Sequence, residues 1–285
     1  QIPVMPVGMH SFRHSTSDIF GTCWKGLQGK NSLFNLPFTH KQELFEWYNQ
    51  GIRTLDELDE NMIGKAHTRR VRNALVRNEA FTDQESVSGF IKKLKSPYAA
   101  MDMEVWNPAI PQIRHSRPFE QIPFLAGFYA PGQEANVFMA YGQDERREFA
   151  IAFIEACKQY SSLLVYDKTM EIGILKALGL RFPELSFELE EIQHKILDLF
   201  DLILHHHYYH PGFGSNLSLK SVSSVLLPAH AYGRIQSGLE AMAVYEDFRR
   251  DENPIQQQIA RDELIEYCMN DCKAVYELVE FFKSL

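Results

Sequence analysis

Residues 98–106 read YAAMDMEVW, and the placement of that stretch decides the fold. In a β-strand alternate side chains share a face, so Asp102 and Glu104 point the same way. Two neighbouring acids on the sheet of a folded core are costly unless a cation or hydrogen bonds compensate them. An exposed sheet face is the ordinary alternative for an acid-x-acid strand. The apolar flanks Ala99, Ala100, Met101, Met103, Val105 and Trp106 favour a buried strand that carries a site.

Downstream, EQIPFLAGFYA and ANVFMAY read as two more strands, with Gln133 near the turn between them. A helix over 145–160 precedes the short apolar strand SLLVY, and helices follow near 169–179, 184–205, 218–226, 236–250 and 255–282. Strands in succession, then a helix and another strand, predict a mixed α/β sheet flanked by helices. In VYDKTMEIGIL the strand ends at Tyr166 and Glu171 falls in the first turns of the next helix, where a carboxylate can face the first strand. In YCMND, Tyr267 and Asp271 are four apart on a helix and share a face. A phenol beside a cation-binding carboxylate suits the positioning of an attacking water.

Upstream, residues 1 to about 33 show no sustained periodicity and read as irregular structure. HKQELFEWYNQG is helical to a cap at Gly51, and GIRTLDEL reads as a turn and short helix, half of a helix-hairpin-helix or a plain helical hairpin. The next helix concentrates Arg69, Arg70, Arg72 and Arg77, and IKKLK adds Lys92, Lys93 and Lys95. Such a face can steer a polyanion, with Arg69 and Arg72 as candidate contacts, although a solvated charge run reads the same way. The change of character near Lys95-Ser96-Pro97 divides a 1–95 module from a 96–285 domain.

The formal charge of −8 argues against a surface coated in cations, but its distribution is uneven. Residues 1–96 hold 13 Lys and Arg against 10 Asp and Glu, whereas 97–285 hold 16 against 27. An acidic domain acts on phosphates if its carboxylates hold divalent cations. No apolar run reaches the roughly 18 residues of a membrane span, so a membrane partner is not expected. The opening QIPVMPVGMH has neither an initiator Met nor a secretion-signal layout, which reads as a boundary with residues missing upstream. Four scattered cysteines, Cys23, Cys157, Cys268 and Cys272, form no disulfide framework and suggest a reducing cytoplasm. Cys268 and Cys272 have a spacing that can share a metal, but buried thiols are the plainer reading.

Other residues carry alternatives of the same kind. His205, His206, His207 and His210 form the densest histidine cluster, which offers ligands for Zn²⁺ or Ni²⁺ and hence a histidine-based hydrolase. Consecutive histidines diverge around a helix end, so capping or solvation competes with that reading. Ser218 and Lys220 open a helix and are candidates for a phosphate contact or for N-capping and a snorkelled lysine. Tyr208, Tyr209 and Phe213 can stack on unpaired bases or pack in a core.

The order of these pieces, an acid-x-acid strand, a strand-to-helix acid and a late Y-x-x-x-D helix, resembles the tyrosine-containing subclass of the DEDD (DnaQ-like) exonuclease superfamily. More narrowly, MDMEVWNPAIP, RPFEQIPF, HHYYHPGFGSNLSLKSV and YCMND together resemble the bacterial family called domain of unknown function 2779. The resemblance implies an RNase H-like fold and a nuclease that removes nucleotides from 3′ ends of DNA or RNA. It also implies two ions, Mg²⁺ or Mn²⁺, about 4 Å apart. Asp102 would bridge them, Glu104 and Asp271 would complete one, Glu171 would bind the other, and Tyr267 would orient water. Family members often carry an upstream nuclease domain ending in cluster-binding cysteines, and here Cys23, His10 and His14 mark the corresponding region. The family's strand-end motif resembles Y-N-x-x-F-E, whereas this chain has Asp167 and Met170 at the variable positions, which makes Asp167 a candidate to share the role of Glu171. The expectation is therefore a metal-dependent hydrolase acting on nucleic acid. The alternative is a catalytically weakened RNase H-like domain that binds nucleic acid or protein.

Overall fold

The computed structural model describes residues 7–9, 24, 27, 29, 31–37, 39–133 and 136–285; Cys23, His10 and His14 lie outside these. The chain divides into two compact units, one of residues 1–87 and 202–225, the other of 88–201 and 226–285.

The second unit is built on a five-stranded sheet. Its strands are β1 (Tyr98–Trp106), β2 (Ile122–Tyr129), β3 (Asn136–Met139), β4 (Ser162–Val165) and β5 (Ile196–Asp198), arranged β3-β2-β1-β4-β5. β2 runs antiparallel to both neighbours, and β1, β4 and β5 are mutually parallel. The helices α1 (Arg146–Cys157), α2 (Thr169–Arg181), α3 (Ser186–Gln193), α4 (Gly238–Arg250) and α5 (Pro254–Ser284) flank it. This is the mixed sheet that the RNase H-like expectation requires, preceded by a helical N-terminal region.

The pleat of β1 sorts the two faces. Ala99, Met101 and Met103 enter the main core with Phe149 and Phe153 of α1, Leu175 and Leu178 of α2 and Leu189 of α3. The even-numbered residues face the layer of α4 and α5: Trp106 stands edge-on to Tyr245, and the backbone carbonyl of Asp102 accepts a bond from Cys268. The ladder shifts register between Glu104 and Val105, where Pro123 stands opposite Val105. A proline lacks the N–H that a regular ladder needs and is at home beside such an irregularity.

Two expectations change. The helix expected over 184–205 is interrupted: α3 ends at Gln193, β5 follows, and a separate helix spans Phe200–Leu204. Asp198 explains the break, because its carboxylate accepts the backbone N–H groups of Asp167, Lys168 and Phe200, an arrangement closed to a residue in mid-helix. The short helix expected in GIRTLDEL is a set of turns. Glu57 holds the N–H groups of Arg53 and Thr54, which fixes the chain there without a helical ladder.

The first unit contains helices Lys41–Asn49, Ala66–Arg77 and Leu219–Leu226 and a two-stranded ribbon pairing Phe81–Thr82 with Tyr208–Tyr209. Leu33, Leu44, Phe45, Leu55, Leu58 and Val71 are buried. Gly51, at φ +97, receives the chain leaving the first of these helices, since glycine adopts that backbone without a steric penalty.

Candidate metal centre

Two secondary-structure elements of the sheet unit deliver the clustered acids. β1 presents Asp102 and Glu104 from one face, and α5 crosses that face with Tyr267 and Asp271 one turn apart. Asp102, Glu104 and Asp271 each offer a carboxylate oxygen, and these oxygens lie within 4.8 Å of one another. The approach of α5 depends on Gly127 of β2, which pairs with Asp102 across the ladder. A Cβ at Gly127 would come within 2.9 Å of the Cys268 sulfur and 3.1 Å of the Met269 sulfur. Glycine therefore lets the helix lie close against the strands.

The electrostatics are those of an anion cluster in poor contact with water. Burial, then Glu104 and Asp271, and more weakly Cys272 and Glu171, hold the Asp102 carboxyl well above the usual range. The residue keeps some exposure overall, but its Oδ2 is shut off from solvent and accepts no hydrogen bond. Glu171, in the first turn of α2, is 3% exposed, and its Oε2 is likewise enclosed and unbonded. Burial, with smaller contributions from Asp167 and Asp198, pushes Glu171 up to about 7. Burial and the three acids also raise the Tyr267 phenol, which hydrogen-bonds Asp271 and so keeps its proton at neutral pH.

Enclosed carboxylate oxygens without donors are unfavourable unless a cation meets them. An all-oxygen donor set of this kind suits Mg²⁺, Mn²⁺ or Ca²⁺. One counterweight among the described residues is the start of α4 at Gly238, where a Cβ would lie 3.8 Å from Glu104 Oε2. The positive end of a helix there partly offsets one negative charge.

Of the residues singled out by sequence, Asp102, Glu104 and Asp271 meet directly, with Tyr267 bonded to the third. Glu171 acts electrostatically on Asp102 from outside the triad. Asp167 is exposed and adopts a left-handed backbone, φ +64. Its carboxylate accepts from Thr169 N and Oγ1, which ties down the turn that enters α2. Cys268 and Cys272 are buried thiols in no disulfide, donating to the backbone carbonyls of Asp102 and Gly127.

The remaining candidates belong to the first unit. Arg69 donates to the Ile63 carbonyl, and Arg72 donates to the Leu55 and Asp56 carbonyls, so both guanidinium groups stitch their own loop. Ser218 Oγ accepts from the N–H of Ser221 in the helix that follows. Lys220 lies in that helix, its carbonyl accepting from Ser223. The histidines do not converge on one point: His206 is buried and lowered to about 4, chiefly by desolvation and then by His67, His205 and His207. His207 faces Asp83 at 3.5 Å, and His210 caps a short turn through Gly212 N. Tyr208, Tyr209 and Phe213 are buried. No described helix is long and apolar enough to cross a membrane.

Two contributors escaped the sequence reading. Gly127 had a signal, since a lone glycine inside a strand pattern marks a bulge or a close approach. Asp198 had a weaker one, an acid punctuating the apolar run ILDLF. No curated protein and no solved structure matches the chain. Residues 99–218, which carry Asp102, Glu104 and Glu171 and stop short of Tyr267 and Asp271, match the family model described as Domain of unknown function (DUF2779).

Proposed function

We propose that the chain is a divalent-cation-dependent phosphodiesterase of the DEDD exonuclease type, hydrolysing DNA or RNA from a 3′ end. The observation that carries this reading is the meeting of three carboxylates from β1 and α5 within 4.8 Å, with a protonated phenol on the same helix bonded to one of them. Asp102, Glu104 and Asp271 would hold one ion, and Glu171, with an enclosed oxygen of its own, would serve a second together with Asp102. Mg²⁺ or Mn²⁺ supplies Lewis acidity and neutralises charge at the phosphate when bound. Tyr267 keeps its proton and can hold an attacking water in line with the phosphorus. The Asp102 and Glu171 oxygens enclosed away from water strengthen electrostatic contacts made to them.

The test is cleavage of 5′-labelled single-stranded DNA and RNA with Mn²⁺ or Mg²⁺, comparing wild type with Asp102→Ala. A ladder of strands shortened one nucleotide at a time, abolished by EDTA and absent from the variant, is the expected result. Metal-independent binding without cleavage, equal in both proteins, would instead assign the chain to the binding-module class.

A further inference from the structure

The segment 107–121 leaves β1 three residues beyond Glu104 and returns to β2. It carries Arg114 and Arg117, both exposed, and neither guanidinium group meets a carboxylate among the described residues. That is unusual company in a stretch of chain, 97–285, that holds 27 acidic against 16 basic residues. The segment's one acid, Glu120, is engaged by the buried Arg146 at 2.7 Å and by the backbone N–H of Arg117. Beside these cations Phe119 is 67% exposed and Ile110 78% exposed. Phe119 also adopts a left-handed backbone, φ +58, a conformation unfavourable for a bulky side chain and concentrated at ligand-contacting positions.

The segment is nevertheless built. Phe119 N–H donates to Pro108 O at 3.0 Å and Ser116 N–H to Ile113 O at 3.1 Å, and Ile113 is buried. The Gln112 amide donates to Glu246, and its oxygen accepts from Arg249, while the Trp106 indole donates to Glu246. Glu246 and Arg249 belong to α4, whose first residue, Gly238, adjoins Glu104. One helix thus fixes the segment near one end and borders the acid cluster at the other, about 12 Å along its axis.

We infer that residues 107–121 receive a single-stranded nucleic acid on its way to the acid cluster, Arg114 and Arg117 contacting phosphates and Phe119 stacking on an unpaired base. The inference rests on the nuclease reading and supplies the strand contact that an acidic site lacks. Guanidinium forks suit phosphate oxygens, and an exposed ring beside them is the stacking platform that single-strand binders use.

The experiment measures anisotropy of a fluorescein-labelled single strand in Ca²⁺ at several salt concentrations, and in parallel the hydrolysis of bis(p-nitrophenyl) phosphate with Mn²⁺. Arg114→Ala/Arg117→Ala should weaken binding at least 10-fold at low salt. It should also flatten the plot of log affinity against log salt by about 1.4, two phosphates at roughly 0.7 each. Phe119→Ala should weaken binding about 10-fold with the slope kept, and both variants should hydrolyse the small diester like wild type. A wild type that shortens the strand while the double variant binds with unchanged affinity and slope overturns the inference and leaves the nuclease reading intact. A wild type that hydrolyses neither substrate overturns the nuclease reading, and the binding data then decide the strand contact alone. Equal, Arg114/Arg117-dependent binding of polyglutamate would assign the segment to an acidic protein partner and also overturn it.

Discussion

Gly127 pairs with Asp102 across the β1–β2 ladder, and the space its side chain would fill is taken by the sulfur of Cys268. The tolerance is small, since a Cβ would come within 2.9 Å of that sulfur. Gly127→Ala must therefore displace the Cys268 and Met269 sulfurs, and the expected relief is an outward shift of α5 that carries Asp271 with it. The expected outcome is a loss of about 1–3 kcal/mol of stability, the usual cost of overpacking, with a drop in divalent-cation affinity. Gly127→Ala/Cys268→Ala should recover part of both, because the second change vacates the contested volume. Thermal denaturation and cation titration of the two variants check this; a single variant with wild-type affinity would show that α5 has room to spare.

The acids oppose one another before any cation arrives, so neutral isosteres should separate stability from function. Asp102→Asn removes a buried carboxylate that burial and Glu104 already disfavour, and the metal-free protein should melt several degrees higher than wild type. Cation-induced stabilisation, which grows with ligand concentration over Kd, should shrink or vanish in the same variant. Nuclease activity should fall by more than about 100-fold, since even residues that only support metal ligands are worth 10–100-fold. Melting scans with and without Mn²⁺ read both effects, and a lower metal-free melting temperature in Asp102→Asn would contradict the repulsion argument.

Tyr267 and Asp271 share a hydrogen bond yet should separate functionally. Tyr267→Phe keeps the ring in its buried place and removes only the hydroxyl, so cation affinity should change little while kcat falls on the order of 100-fold. Asp271→Asn should lose both. Cation affinity by calorimetry, set against single-turnover cleavage rates, distinguishes a water-orienting phenol from one that merely packs.

The legible parts of this fold are those where local spacing and long-range placement agree. The period of two in YAAMDMEVW put both acids of β1 on one face, and the four-residue step from Tyr267 to Asp271 did the same on α5. Where spacing is ambiguous the reading fails: KILDLFDLIL carries apolar residues at intervals compatible with a helix, and a three-residue strand is too short to impose its own period. β5 exists because its chain pairs with β4 and because Asp198 gathers three N–H groups, two of them 31 and 30 residues away. The approach of Gly238 to Glu104 and the role of Gly127 are likewise contacts between elements distant in sequence. The candidates in the first unit, Arg69, Arg72 and Ser218, carry the right chemistry for phosphate, but Arg69 and Arg72 donate to carbonyls of the preceding loop and Ser218 bonds Ser221 in the helix it opens.

Acidic groups raised in the folded state make stability fall as pH rises. Glu171 lies at about 7 against an ordinary 4.5, so between those values the folded protein keeps a proton that the unfolded chain has released. More protons on the folded state means that stability declines through this window and levels off above it. The ceiling from Glu171 alone is about 3 kcal/mol. His206, lowered to about 4, works in the opposite sense below pH 6.5, so the Glu171 contribution is read as a difference: from pH 5 to pH 7.5 the metal-free melting temperature of wild type should fall relative to that of Glu171→Gln. A divalent cation held by these acids would require them deprotonated, so the stabilisation conferred by added Mg²⁺ should grow over the same range. Parallel pH profiles for wild type and Glu171→Gln would show that Glu171 is ionised in the folded protein throughout this window.

Asp198 should matter to the metal centre without touching it. Its Oδ1 accepts from Asp167 N at 2.9 Å and Phe200 N at 3.0 Å, and its Oδ2 from Lys168 N at 3.1 Å. The turn so held keeps Asp167 left-handed and sets where α2, and with it Glu171, begins. In Asp198→Asn one oxygen becomes an NH₂ donor, which leaves at least one backbone N–H unsatisfied at a cost of about 1–3 kcal/mol. Cation affinity should then fall about 10-fold, the scale of a group that orients a ligand from behind. Asp167→Ala should cost the bonds to Thr169 and add left-handed backbone strain that Asp tolerates better than Ala, about 1–3 kcal/mol together, and leave cation affinity as it was. Parallel Mn²⁺ titrations of the two variants separate these outcomes. A large affinity loss in Asp167→Ala with none in Asp198→Asn would move the ligand role from Glu171 to Asp167.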